Sequence, residues 1–153
     1  MWSTPIHVEE NGNPDPGTRF KEYLQIYFQE DLDQLDHAIR NWETSPQSGY
    51  WLATHNHGHA HFTSIYYEHV SGEGGELILH DPRGNANRGY PSQLASHFEP
   101  YIIKPTTGMT VTFPAYVYHT ASPFYGIIRI AKVSDLQLYI TGEGKTRLGT
   151  TAI

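Results

Sequence analysis

Four histidines, His55, His57, His59 and His61, fill every second position of the stretch THNHGHAHFTSIYY, residues 54 to 67. On a β-strand, residues two apart share a face, with Cα atoms about 6.5–7 Å apart. That spacing lets two imidazoles converge on one metal ion through bonds of about 2.0–2.2 Å. Four cannot do so. His55 and His61 would stand about 20 Å apart on a straight strand, so one ion takes one adjacent pair. Gly58 marks the expected end of the strand. For His59 and His61, a polar strand face that holds metal loosely is an equally good reading. A further ligand must come from another part of the chain. His119 lies in KPTTGMTVTFPAYVYHTASPFYGIIRI, residues 104 to 130. A lone histidine in so apolar a segment is more often a hydrogen-bonded core residue, but the upstream HxH pair favours a ligand. Arg129 stands in GIIRIA, which reads as a strand buried on both faces. An unpaired guanidinium there would be costly, so it needs an anion. That anion is either a protein carboxylate or the carboxylate of a bound acid.

These residues need elements to position them. The first seventeen residues are polar, carry Pro5, Pro14, Pro16 and Gly17, and read as an arm. From Thr18, apolar residues recur at spacings of three and four: Phe20, Leu24, Tyr27, Phe28, Leu32, Leu35, Ile39 and Trp42. That pattern predicts amphipathic helix over 18–42, with a break near Glu30 or Asp31. After SPQSG the period becomes two. Strands are expected at about 50–57, 62–70, 75–80, 99–104, 108–113, 116–121, 126–133 and 136–141. DPRGNANRGYPSQ (81–93) is too polar for a strand and reads as a long covering or functional loop. The expectation is one mainly β domain over 18–153, a sandwich, jelly roll or barrel with a helix packed outside.

Composition narrows the chemistry. The chain has 153 residues and no cysteine, so any metal sits on nitrogen and oxygen and no thiol nucleophile is available. A net charge of -6 argues against general nucleic-acid binding, but one local arginine still suffices for a small anionic ligand. No apolar run approaches membrane-spanning length, and MWSTPIHVEENGNPDPG does not read as a signal peptide. A cytoplasmic location, in its own cell or a host's, is the expectation, and a homodimer is compatible with it.

The segments HNHxxxxxTSIYY, GGELILHDPR and PTTGMTVTFPAYVYHTASPFYGIIRIA together resemble small stand-alone 2-oxoglutarate/Fe(II) oxygenases of phages and bacteria. They are similar, more distantly, to prolyl hydroxylases. The resemblance covers residues 50–133, and its specific part is His119 followed ten residues later by Arg129. It implies a double-stranded β-helix, jelly-roll or cupin-like, that holds Fe(II) and uses dioxygen and 2-oxoglutarate to hydroxylate a substrate. By position His55 would be the first ligand and His119 the distal one. Arg129 would pair with the far carboxylate of 2-oxoglutarate, with a phenol hydrogen bond from Tyr67 or Tyr50. Arg83 and Arg88, in the 81–93 loop, are candidates for substrate or lid contacts, as is the N-terminal arm for the lid. The expected ligand set is two histidines and one carboxylate, with three positions open. Where prolyl hydroxylases have HxD, however, this chain has His55-Asn56-His57. Three readings compete: His57 replaces the carboxylate, Asp81 of HDPR supplies it, or the site has lost catalytic iron; the favoured set is His55, His57 and His119, with Asp81 in reserve. Two rivals stay open. One is a cupin-type metalloenzyme that needs no keto acid, with His61 where a glutamate usually stands. The other is a non-catalytic jelly-roll binding or virion protein with a structural metal.

Overall fold

The computed structural model describes residues 3–85 and 88–140. Asp15 starts the first helix, α1 (Pro16–Phe28), by accepting hydrogen bonds from the Thr18 N–H and hydroxyl, and Pro16 fits the first turn. Gln29, with φ of 53°, ends it in the left-handed conformation. Phe20, Tyr23 and Leu24 form its buried face, which meets Leu32 and Leu136.

The expected helix over 18–42 is corrected here. A short 3-10 turn at Leu32–Gln34 follows α1, and residues 37–44 are a strand. Leu35, Ile39 and Trp42 mimic a helical stripe, but on a strand residues three apart face opposite sides. Ile39 packs against the α1 cluster, whereas Trp42 lines a cavity between the sheets. Eight consecutive pairings with the last strand hold this segment extended, an instance of long-range pairing overriding local pattern.

Among the described residues, nine strands make two antiparallel sheets. They are β1 (His7–Glu9), β2 (His37–Thr44), β3 (Leu52–His55), β4 (Phe62–Val70), β5 (Leu77–Leu79), β6 (Tyr101–Ile103), β7 (Thr110–Pro114), β8 (His119–Ala121) and β9 (Arg129–Leu138). A four-residue helix, α2 (Ser92–Ala95), lies between β5 and β6. The larger sheet runs β1-β7-β4-β9-β2 and the smaller β3-β8-β5-β6. Ile65, Tyr67, Val111 and Phe113 of the larger sheet meet Leu77, Leu79 and Ile103 of the smaller in one core. The α1 cluster, with Phe62 and Leu136, is a separate core on the outside of the larger sheet. The protein is thus mainly β, a jelly roll of two facing sheets without a closed barrel, with α1 outside.

Two further readings change. Part of the N-terminal arm is the edge strand β1, paired to β7 through residues 110–112, and the Tyr23 hydroxyl donates to the Pro5 carbonyl. The two strands expected at 126–133 and 136–141 are one, β9, paired on both sides with β2 and β4.

Candidate metal centre

β3 and β8 are neighbours in the smaller sheet, and their register sets His55 directly opposite His119. Residues opposite each other on antiparallel strands have Cβ atoms about 4.5–5.5 Å apart. His55 is the last residue of β3; His57 lies just past it, where its N–H donates to Ala115 O at 3.0 Å. Its own carbonyl then accepts from Ala60 N–H in the turn around Gly58. The result is a cluster in which His55, His57 and His119 each present a ligand atom, all within 4.8 Å of one another. Their ring centroids are 4.3 Å (His55–His119), 5.0 Å (His57–His119) and 5.5 Å (His55–His57) apart.

Each ring is tied at Nδ1. His55 Nδ1 is 2.7 Å from Ala53 O, His119 Nδ1 is 3.0 Å from Val117 O, and His57 Nδ1 is 2.7 Å from Asp135 Oδ1. Carbonyl and carboxylate oxygens only accept, so the protons sit on Nδ1 and each Nε2 lone pair is left over. Burial pushes the His119 pKa down to about 4, and the neighbouring His55 and His57 act in the same direction. Three imidazoles that each turn Nε2 towards a common point are the donor set of a nitrogen-ligated divalent ion, so the residues present fit iron.

Asp135 was not recognised from the sequence. It is 2% exposed and accepts from both His57 Nδ1 and the Thr63 hydroxyl, the latter at 2.8 Å. His59 Nε2 stands 2.7 Å from the other carboxylate oxygen, though not in line for a well-formed hydrogen bond. Burial alone would raise the Asp135 pKa, but the contacts with His57, Thr63 and His59 outweigh it and hold the pKa below the usual carboxylate value. A usable signal was present: Arg129, Ala131, Val133 and Asp135 alternate along one strand and so share a face.

That face leads away from the histidines to Arg129. A cavity of about 90 Å³ between the sheets is bordered by His55, His57, His119, Trp42, Tyr67 and Arg129. Arg129 is 8% exposed and donates from one nitrogen to Gly75 O at 2.7 Å. Its guanidinium lies 5.2 Å from the Tyr67 ring centroid and 5.8 Å from that of Phe124. Among the described residues it forms no salt bridge with a carboxylate. Gly75 makes room for it: at φ of 69° and with an added Cβ 1.7 Å from the guanidinium, no other residue fits without displacement. Burial raises the pKa of the Tyr67 phenol, which therefore keeps its proton to donate.

The other candidates lie elsewhere. Asp81 is outside the cluster and is engaged by Arg83, whose side chain also donates to His97 O and covers Phe98. Arg88 lies over Tyr90. Tyr50 does not border the cavity; its backbone pairs with Gln47 and Phe124. His61 Nδ1 accepts from Leu138 N–H and is outside the cluster, so the extra histidine of the cupin reading is not brought to the site.

The family described as putative 2OG-Fe(II) oxygenase matches residues 40–133, more than half of the chain, and the protein belongs to it. Solved structures agree on the fold. A prolyl-4-hydroxylase from Pseudomonas putida matches with a TM-score of 0.62 at 13% identity, over 90% of each chain. A 2OG-Fe(II) oxygenase-family oxidoreductase from Burkholderia pseudomallei matches with a TM-score of 0.59 at 14% identity, over 78% of this chain and 50% of its own. The viral collagen prolyl hydroxylase of Paramecium Bursaria Chlorella virus-1, solved with 2OG, gives 0.53 at 12% identity, over 90% of this chain and 81% of its own. The chain therefore spans half the length of the Burkholderia protein and most of the two hydroxylases. No curated protein matches it in sequence. Among the described residues, no helix is long and apolar enough to cross a membrane.

Proposed function

We propose that the protein is a 2-oxoglutarate- and Fe(II)-dependent hydroxylase whose iron is held by His55, His57 and His119. The observation that carries this reading is the shared cavity, with three convergent imidazoles at one end and, at the other, a buried arginine that forms no salt bridge with a carboxylate among the described residues. Three protein ligands on a six-coordinate ion leave room for a chelating keto acid and for oxygen. Bound iron and keto acid would supply the oxidising chemistry, which belongs to the cofactors.

The chain's own residues do the rest. Arg129 keeps one nitrogen on Gly75 O and offers its remaining donors to the far carboxylate of the keto acid, a charge-assisted pair. The Tyr67 hydroxyl, protonated because it is buried, donates to the same group. Ile65, Leu77, Ala131 and Val133 line the space between with apolar surface that keeps water out. Trp42, its ring centroid 5.7 Å from that of His57 and 36% exposed, stands where a substrate would approach.

Anaerobic titration with Fe(II) and then 2-oxoglutarate tests the proposal. The expected result is a visible charge-transfer band saturating at one equivalent of each. Iron binding without the band would make this a metal protein that does not use the keto acid. No iron binding would leave the three histidines as a hydrogen-bonded cluster.

A further inference from the structure

Among the described residues, the ligand atoms gathered at the histidine cluster are all imidazole nitrogens, with no carboxylate oxygen among them. A buried carboxylate stands one imidazole away. We propose that Asp135 is the positioning residue of this centre, supplying through His57 the negative charge and the ring orientation that a directly bound carboxylate would otherwise give. This rests on His55, His57 and His119 being the ligands.

Three features carry the inference. First, the acceptor is fixed before any ion arrives. Thr63 and Asp135 are paired directly across β4 and β9, and the Thr63 hydroxyl donates to the same oxygen that receives His57 Nδ1. Second, His57 is fixed at both ends, its backbone N–H to Ala115 O and its ring to Asp135. The Nε2 lone pair then has one direction available. Third, the charge of Asp135 has no lysine or arginine within salt-bridge distance among the described residues; only His57 and His59 meet it. A buried carboxylate is costly unless compensated. A divalent ion on the far side of the His57 ring would compensate it, and a carboxylate on the outer nitrogen of a ligating histidine raises that ligand's basicity.

A purely structural role, tying β9 to the 56–61 turn, would leave metal affinity alone, so the test reads affinity and tautomer. In the full chain, anaerobic Fe(II) titrations of Asp135→Asn should show affinity about 10- to 100-fold weaker than the parent. Thr63→Val, which removes the hydroxyl that steadies the carboxylate, should weaken it in the same direction by less. In metal-free protein with 15N-labelled histidine, the His57 Nδ1–H should be downfield and protected from exchange, and should move upfield in Asp135→Asn. Affinity within about twofold of the parent in both variants would overturn the proposal, as would a His57 protonated on Nε2. If Asp135→Asn does not fold, Thr63→Val and the parent's tautomer decide the matter. If the parent binds no iron, the ligand reading and this inference fall together; a protected Nδ1–H with normal variant affinities sinks the inference alone.

Discussion

The two ends of the cavity are built on opposite plans. At the histidine end every ring is already anchored by a protein acceptor, and the two sheets contribute together: His55 and His119 from the smaller, Asp135 and Thr63 from the larger. At the arginine end the guanidinium has a backbone carbonyl and two aromatic rings around it, but among the described residues no carboxylate within salt-bridge distance. On the proposed reading one end is organised in advance for a cation; the other is a buried charge that, among the described residues, meets no carboxylate within salt-bridge distance and is open to an anionic ligand. A single strand, β9, carries Asp135 towards one end and Arg129 at the other, six residues apart on the same face. On the proposed reading this end-to-end polarity, positive charge sought at one end and supplied at the other, would orient a keto diacid.

The polarity can be broken most severely at the metal end. His119→Ala should abolish stoichiometric Fe(II) binding, a loss of more than about 100-fold, beyond what losing a supporting partner costs. His57→Ala should do the same. Binding at one equivalent by either variant, measured anaerobically, would show that the removed imidazole is not a ligand.

At the other end, Arg129→Ala should spare the metal and weaken 2-oxoglutarate. Truncating one member of a buried charge pair costs about 2–5 kcal/mol, so the keto acid should bind at least about 30-fold more weakly. Equal loss of metal and keto acid would mean that the two ends are not separable. Unchanged keto-acid affinity would remove Arg129 from the site.

How legible was this arrangement? β4 was readable to the residue, because the run FTSIYYEHV is rich in aromatic and β-branched residues and ends at the SGEGG turn. His55, His57 and His119 could be singled out because few residue types hold a metal in a chain without cysteine. β2 was not legible, since Ile39 and Trp42 continue the helical spacing of Leu32 and Leu35 and only pairing with β9 makes residues 37–44 a strand. Asp135 was lost with the polar pair Ser134-Asp135, which looks like a break between strands. Its desolvation is offset by partners far away in sequence, His57 and Thr63, which no local pattern displays. Gly75 was visible only as part of a turn, its role as a cradle for Arg129 being a matter of three-dimensional proximity.

Acid should separate the ends in the metal-free protein. In the unfolded chain His119 takes its proton near 6.5, and in the folded protein near 4. Between these values the unfolded state binds more protons, so stability should fall as pH is lowered from about 6.5 to about 4, by at most about 3 kcal/mol. Urea unfolding at several pH values measures this. Saturation with Zn(II) should steepen the loss, because protons and metal compete for the same imidazoles. A stability flat across that window would mean that His119 is not held neutral by burial.

The smallest effect expected is also the one that chooses between ligand sets. Asp81→Ala should leave Fe(II) affinity and stoichiometry within about twofold, because Asp81 lies outside the histidine cluster and is bound to Arg83 through both side chain and backbone. What the substitution removes is the anchor of the 81–83 turn, where Asp81 Oδ1 accepts from the Arg83 N–H. Its cost should therefore appear as faster proteolysis within the 81–93 loop rather than as lost metal. A variant that instead lost the iron while His57→Ala kept it would restore the two-histidine, one-carboxylate set. The loop would then have to carry Asp81 away from Arg83 and into the cavity when metal binds.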